Sequence, residues 1–356
     1  MTFTYNLLML KLMFLMGLIT ININYQKYTS DEVLMKLMEN EKKIINVEAH
    51  FQCLIPERNN HIFYEVNWGY DRGKEYLEGI WQKKSKQPSG LSQPIKYDIW
   101  KQKYAFDGEK YSYRRQRPSD EGKREGSGRI TTLKNEELKG YDTPYTLLGY
   151  NIKVEGRQTL GEAIRQAQSI DLREKMENIG GNLCYVVEVT GIQKNSYKDV
   201  LIWIDPQRDF RPLKIEVYRR NEIIKWDKAD LLARIENIIL AKIEDTWFPV
   251  EGDVTFYYKQ LTKPENMTQV EFAGLPSAEQ LKLGKYVLEP LTPTYRTVVE
   301  IASVRINKGI NLEKFRVEFP LNYQVYDDFE QKGYWVGGKR GYGGIFEKYD
   351  AIHKDR

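Results

Sequence analysis

Side chains equipped for covalent or metal chemistry are scarce in this chain of 356 residues, which holds 3 His and 2 Cys. His50 and Cys53 are three apart, and a nucleophile pair would have to hydrogen-bond. On an extended strand that offset sends the two side chains to opposite faces, so structural use of both is expected. His61 and His353 have no acid or thiol pattern around them. Two cysteines cannot build a four-thiolate zinc site, and three scattered histidines leave little for a His-rich centre. Gly126-Ser127-Gly128 lacks the spacing of a nucleophile elbow. Gly69-Tyr70-Asp71-Arg72-Gly73-Lys74 is one residue short of a phosphate loop and is followed by Glu75 instead of Ser or Thr. The glycine-rich run from Gly337 to Gly344 follows no strand-then-helix unit. Asp227 with Asp230, and Asp327 with Asp328, read as surface charges. These residues predict a protein that binds, not an enzyme, with no metal and no cofactor.

Charge narrows the partners. Lys and Arg number 54 against 50 Asp and Glu, a net of +4, too small and too evenly spread for a nucleic-acid footprint. The densest basic run, Tyr113-Arg114-Arg115-Gln116-Arg117, is followed by Asp120, Glu121 and Glu125 and reads as a solvated loop. What the chain does have is rings: 7 Trp, 25 Tyr and 13 Phe. That payload argues against disorder, and at this length about three quarters of the unfolded surface can be buried.

The elements that must position these rings are mostly strands. Thr29-Ser30-Asp31-Glu32 has the spacing of a capping box, and Leu34, Leu37, Met38 and Ile45 recur at helical period, which predicts an amphipathic helix over 29–47. A second helix is expected over 160–179, ended by Gly180-Gly181. Runs rich in β-branched and aromatic residues predict strands at 63–68, 97–106, 183–190, 200–205, 213–218, 254–258, 297–304 and 315–319. Loops are expected at 83–93, 118–128 and 262–284, the last holding the formal glycosylation triplet Asn266-Met267-Thr268. The fold class these elements suggest is α+β, a large antiparallel sheet that curls over its helices; the open half-barrel, with a few helices on its concave face, is what the family resemblance described below implies.

Residues 7–23 are mostly apolar, interrupted by Lys11, Thr20 and Asn22, with no acidic residue before Asp31. Residues 1–25 are therefore expected to be a signal peptide or an N-terminal anchor, which places the protein in the periplasm or cell envelope. If exported, Cys53 and Cys184 have two open fates, one disulfide or two buried thiols.

Several segments, read in order, resemble the LolA-like family of outer-membrane lipoprotein-sorting carriers. They are Asn46-Val47-Glu48-Ala49-His50-Phe51-Gln52, Ala105-Phe106-Asp107-Gly108-Glu109-Lys110-Tyr111 and Thr143-Pro144-Tyr145-Thr146-Leu147-Leu148. Trp203-Ile204-Asp205-Pro206, then Phe315-Arg316-Val317-Glu318-Phe319-Pro320 with Val325-Tyr326-Asp327, continue the series. The resemblance spans about residues 29–328 and implies a half-barrel domain over 26–328, preceded by the export segment and followed by a glycine-rich basic extension at 329–356.

It further implies an apolar cavity that shields the acyl chains of a lipid or lipoprotein, in the service of transport and outer-membrane biogenesis, with helix 29–47 as part of a lid. Strand position nominates Trp68, Trp81, Trp100, Phe106, Tyr111, Trp203 and Phe256 as cavity lining, with core packing the standing alternative for each. A second expectation, from a different class, is an envelope sensor or scaffold that holds a protein partner on the same concave surface.

Overall fold

A computed structural model describes residues 28–59, 61–84, 97–116, 126–131, 143–149, 159–192, 198–220, 230–291, 294–320 and 323–336. The expected export segment, residues from Gly337 onward and most of the expected loops at 83–93 and 118–128 lie outside them.

Helix α1 (Ser30–Lys42) begins as its sequence dictates: the Thr29 side chain accepts from the Glu32 amide while Glu32 accepts from the Thr29 amide. Asp31 and Glu32 in the first turn suit the positive end of the helix dipole. The helix stops five residues short of the expected 47. Its exit is held by Asn307, whose amide donates to the Lys43 carbonyl and whose Oδ1 accepts from the Ile45 and Asn46 amides. Arg211, fully buried, donates to the Asn40 carbonyl at the same end, where a guanidinium offsets the carbonyl dipoles.

From there the chain runs as a meander: β1 (Asn46–Ile55), β2 (His61–Asp71), β3 (Lys74–Lys84), β4 (Tyr97–Phe106), β5 (Tyr111–Gln116) and β6 (Gly126–Thr131), each antiparallel to the next. The near-phosphate-loop Gly69–Lys74 is the β2–β3 hairpin, with Arg72 at φ 47° and Gly73 at φ 86°, as a two-residue turn of the twist-compatible type requires. The basic run expected as a loop is mostly β5, because its alternating residues find partners on both β4 and β6.

The second half forms another meander: β7 (Ser169–Leu172), β8 (Glu177–Ile179), β9 (Asn182–Thr190), β10 (Lys198–Asp205), β11 (Arg211–Arg219), β12 (Leu231–Ile243) and β13 (Thr246–Thr262). Strand β15 (Tyr295–Val299) joins the halves, with Val298 opposite both Gln52 of β1 and Glu251 of β13. Strand β14 (Lys285–Pro290) extends the far end of β13, and β16 (Arg305–Ile306) continues beside β1. At the other edge β17 (Tyr323–Asp327) lies parallel to β6 and antiparallel to β18 (Lys332–Trp335). Among the described residues no pairing joins β18 to β7 or β8, so the mostly antiparallel sheet is an open half-barrel, as expected.

Four local expectations are corrected. The helix over 160–179 is only α2 (Leu160–Arg165); Ile170 and Leu172 alternate and pair as β7 with β9, and Gly180-Gly181 turns the β8–β9 hairpin instead of capping a helix. The strand over 297–304 ends at Val299 and gives way to a 3-10 turn, Ile301–Ser303. Phe315–Phe319 is no strand: Phe315 closes a 3-10 turn and packs edge-on against Tyr76 at 5.7 Å. The loop over 262–284 contains α3 (Gln269–Gly274) and α4 (Ser277–Leu283), and Thr268 of the glycosylation triplet is the N-cap of α3.

Two apolar layers result. The inner face packs Val187, Val189, Ile202, Ile215 and Ile235 against Val33 and Leu37 of α1 and Ile164 of α2. The 3-10 turn Thr146–Leu148 plugs the middle, sending Leu147 into that cluster and Tyr145 and Leu148 into a second one around Phe51, Val66 and Trp68. Gly252 lets the plug sit down on β13, since a Cβ there would lie 2.7 Å from a Leu147 methyl. The outer face of β9–β12 is apolar too, through Val186, Leu201, Trp203 and Leu213.

Candidate ligand-binding face

Strand register decides which nominated rings share a face. Opposite pairs Tyr64–Trp81, Trp68–Leu77, Trp81–Trp100, Tyr104–Tyr113 and Phe106–Tyr111 carry one parity from β2 to β5. Cys53 opposite Thr297, and Thr297 opposite Gly252, carry it on to β13, where Val254 and Phe256 follow. Trp68, Trp81, Trp100, Phe106, Tyr111 and Phe256 therefore share the inner face. Trp203 does not. On β10 Ile202 and Ile204 point inward, and Trp203 lies outward, with its indole N–H donating to Glu177 at 2.8 Å and Lys214 Nζ 4.3 Å above its ring.

The inner rings divide by burial. Near the Thr146–Leu148 plug they are spent on one another: Trp68 is 0 % exposed, edge-on to Tyr145 at 4.9 Å, with its N–H donating to Glu75 at 2.9 Å. Trp81, 4 % exposed, stacks on Tyr64 at 5.9 Å and meets Tyr104 edge-on at 5.7 Å. Such offset and edge contacts contribute about 0.5–1.5 kcal/mol each beyond area burial. Phe106 is buried against Tyr111 at 4.6 Å. Farther from the plug, Trp100, Tyr111 and Tyr113 are only half-buried; they form an aromatic shelf across β4 and β5 that the Gln102–Arg115 pair interrupts between Trp100 and Tyr113. Phe256 is likewise half-buried, beside the α1 cluster.

The shelf has a charged rim. Arg115 and Arg129 share its parity, opposite Gln102 and Tyr113 respectively. Arg129 is held by Asp328, both carboxylate oxygens lying 3.1 Å from its Nε. Arg115 is exposed; its guanidinium lies 5.5 Å from the Trp100 ring centre and its Nε donates to Ser127 Oγ at 3.0 Å. Tyr64, Tyr104, Tyr113, Tyr145 and Arg115 were not singled out from sequence. Period-two spacing from Phe106 and Tyr111 would have found Tyr104, Tyr113 and Arg115; Tyr145 lies inside the quoted Thr143–Leu148 segment, but strand spacing does not reach it.

Above the inner face, α1 is clasped to α2. Both Glu41 carboxylate oxygens accept from the Gly161 amide, at 3.1 and 3.2 Å, at a position where a Cβ would lie 2.7 Å from Glu41. Burial pushes the Glu41 carboxyl up to about 7, against hydrogen bonds from Thr159 and Gly161 and the Arg211 guanidinium, which pull it down.

The other sites weighed from sequence are dispersed. His50 points outward to Asn67 and Glu65, and Cys53 inward, as the strand offset requires. Both cysteines are buried thiols, Cys53 under the inner face and Cys184 under the outer, with burial pushing the Cys184 thiol up to about 12. Among the described residues no group of three His, Cys, Asp or Glu could hold a metal ion, and no helix is long and apolar enough to cross a membrane.

No protein-family model matches the sequence, and no curated protein matches it. Solved structures similar to the chain include a DUF1329 family protein from Desulfovibrio piger, 11% identical over 82% of this chain and 98% of that one, with a TM-score of 0.42. An outer membrane lipoprotein-sorting protein domain from Vibrio parahaemolyticus is 13% identical over 81% and 97%, TM-score 0.42. A LolA superfamily protein from Nitrosomonas europaea is 15% identical over 82% and 99%, TM-score 0.40.

Proposed function

We propose that the protein is an exported carrier whose inner face takes the acyl chains of a lipid or lipoprotein. The observation that supports this is the aromatic shelf: Trp100 and Tyr113 pack on the buried ring cluster and Tyr111 packs on Phe106, all three remaining half-buried themselves. Rigid rings give an acyl chain large contact at little loss of rotamer freedom. A carrier binds and releases, so it needs no nucleophile. The α1–α2 clasp at Glu41 and Gly161 gives the helical layer a defined seat over the sheet, which suits a lid. The test is mass spectrometry of lipids extracted from the natively purified protein, together with uptake of a pyrene-labelled fatty acid. Co-purifying acylated species and saturable uptake are expected; a lipid-free protein that takes up no probe would overturn the reading.

A further inference from the structure

Resting on the carrier reading, we infer that the shelf selects a phosphate-bearing lipid, with Arg115 as the headgroup ligand and the Trp100–Tyr113 surface as the seat of its chains. Two guanidiniums face the inner side of β5 and β6, and their surroundings differ. Arg129 is neutralised by a two-oxygen contact with Asp328 and braced by the Tyr326 ring at 5.8 Å. Among the described residues none of the contacts of Arg115 is to a carboxylate: it has the Ser127 hydroxyl at one nitrogen and the Trp100 ring beneath. A stacked guanidinium is pre-oriented, and its remaining N–H donors match the paired oxygens of a phosphate.

Position makes the match amphiphilic. Trp100 is half-buried, with Trp81 directly opposite on β3; Tyr113 is opposite Tyr104 on β4, their rings stacked at 5.5 Å. A ligand with phosphate at Arg115 would have the Trp100 ring on one side along the strands and Tyr113, then Tyr111, on the other to receive its chains. The lipid-modified N-terminus of a lipoprotein carries no phosphate, so this chemistry narrows the ligand to a phosphate-bearing lipid. Free phosphate offers the same oxygens without the chains, and the experiment separates the two.

The full chain is titrated with pyrene-labelled phosphatidylglycerol and with pyrene-labelled diacylglycerol of the same chains, for the native protein, Arg115→Leu and Arg115→Lys. Millimolar inorganic phosphate serves as competitor. The native protein is expected to prefer the phospholipid, Arg115→Leu to lower that preference on the order of tenfold, and Arg115→Lys, which keeps the charge but loses the stacked plane and the paired donors, to lower it by an intermediate amount. Equal affinity of the native protein for both probes, or an unchanged preference in Arg115→Leu, would overturn this inference while the carrier reading stands. Binding of neither probe would overturn both. Full displacement by inorganic phosphate would reassign Arg115 to a free-anion site; failure to compete supports the lipid.

Discussion

Replacing Glu41 by Gln tests the clasp between α1 and α2 through its pH dependence. Glu41 is buried, and its folded value of about 7 lies above the ordinary carboxylate value of 4.5. The folded state thus binds a proton more tightly than the unfolded chain, and stability falls as pH rises between those two values. A shift of this size is worth roughly 3 kcal/mol over the whole window, and roughly 2–3 kcal/mol between pH 5 and pH 8. Gln keeps an oxygen that can accept from the Gly161 amide, 3.1 Å from Glu41 Oε1, and carries no charge to desolvate. Urea unfolding of both proteins at pH 5 and pH 8 isolates the effect, because all other titrating groups cancel in the difference. Glu41→Gln is expected to gain that amount relative to the native protein on going from pH 5 to pH 8. A difference that does not change with pH, or a variant that loses ground at pH 8, would refute the assignment of a high-pKa buried carboxyl to this contact.

Gly252→Val should destabilise by about 1–3 kcal/mol in urea unfolding, because even its Cβ meets Leu147 at 2.7 Å; unchanged stability would mean the plug does not rest there. Trp81→Ala should destabilise by about 3–5 kcal/mol, and Trp100→Ala by clearly less while weakening pyrene-lipid uptake; equal destabilisation would contradict the division into core and shelf. Cys184, buried and with its thiol held near 12, should resist iodoacetamide at pH 8 until denaturant is added, and rapid labelling of the folded protein, read by mass, would count against its placement.

How far the sequence could be read depended on whether a segment carried its own instruction. The Thr29–Glu32 capping box is local, and α1 starts where it says. The end of α1 is set by Asn307, more than 260 residues away, and no local pattern marks it. In Val200-Leu201-Ile202-Trp203-Ile204 every residue is apolar because both faces of β10 are covered, so period-two alternation is silent and Trp203 cannot be assigned to a side. Residues 169–172 became strand because β9 offers them an edge, overriding a helical continuation from α2. The same blindness hid the shelf's rim. Arg115 sits in a charge-dense run that reads as solvated, and only its register opposite Gln102 places it over Trp100.

The inner-face binding of acyl chains is tested most directly by photo-crosslinking the full-length protein with a diazirine-bearing fatty acid and mapping the adducts by peptide mass spectrometry. Adducts concentrated on Trp100, Tyr111 and Tyr113, and competed away by unlabelled fatty acid, are the expected result. Adducts confined to the outer face around Trp203, or labelling that unlabelled fatty acid does not compete, would contradict it.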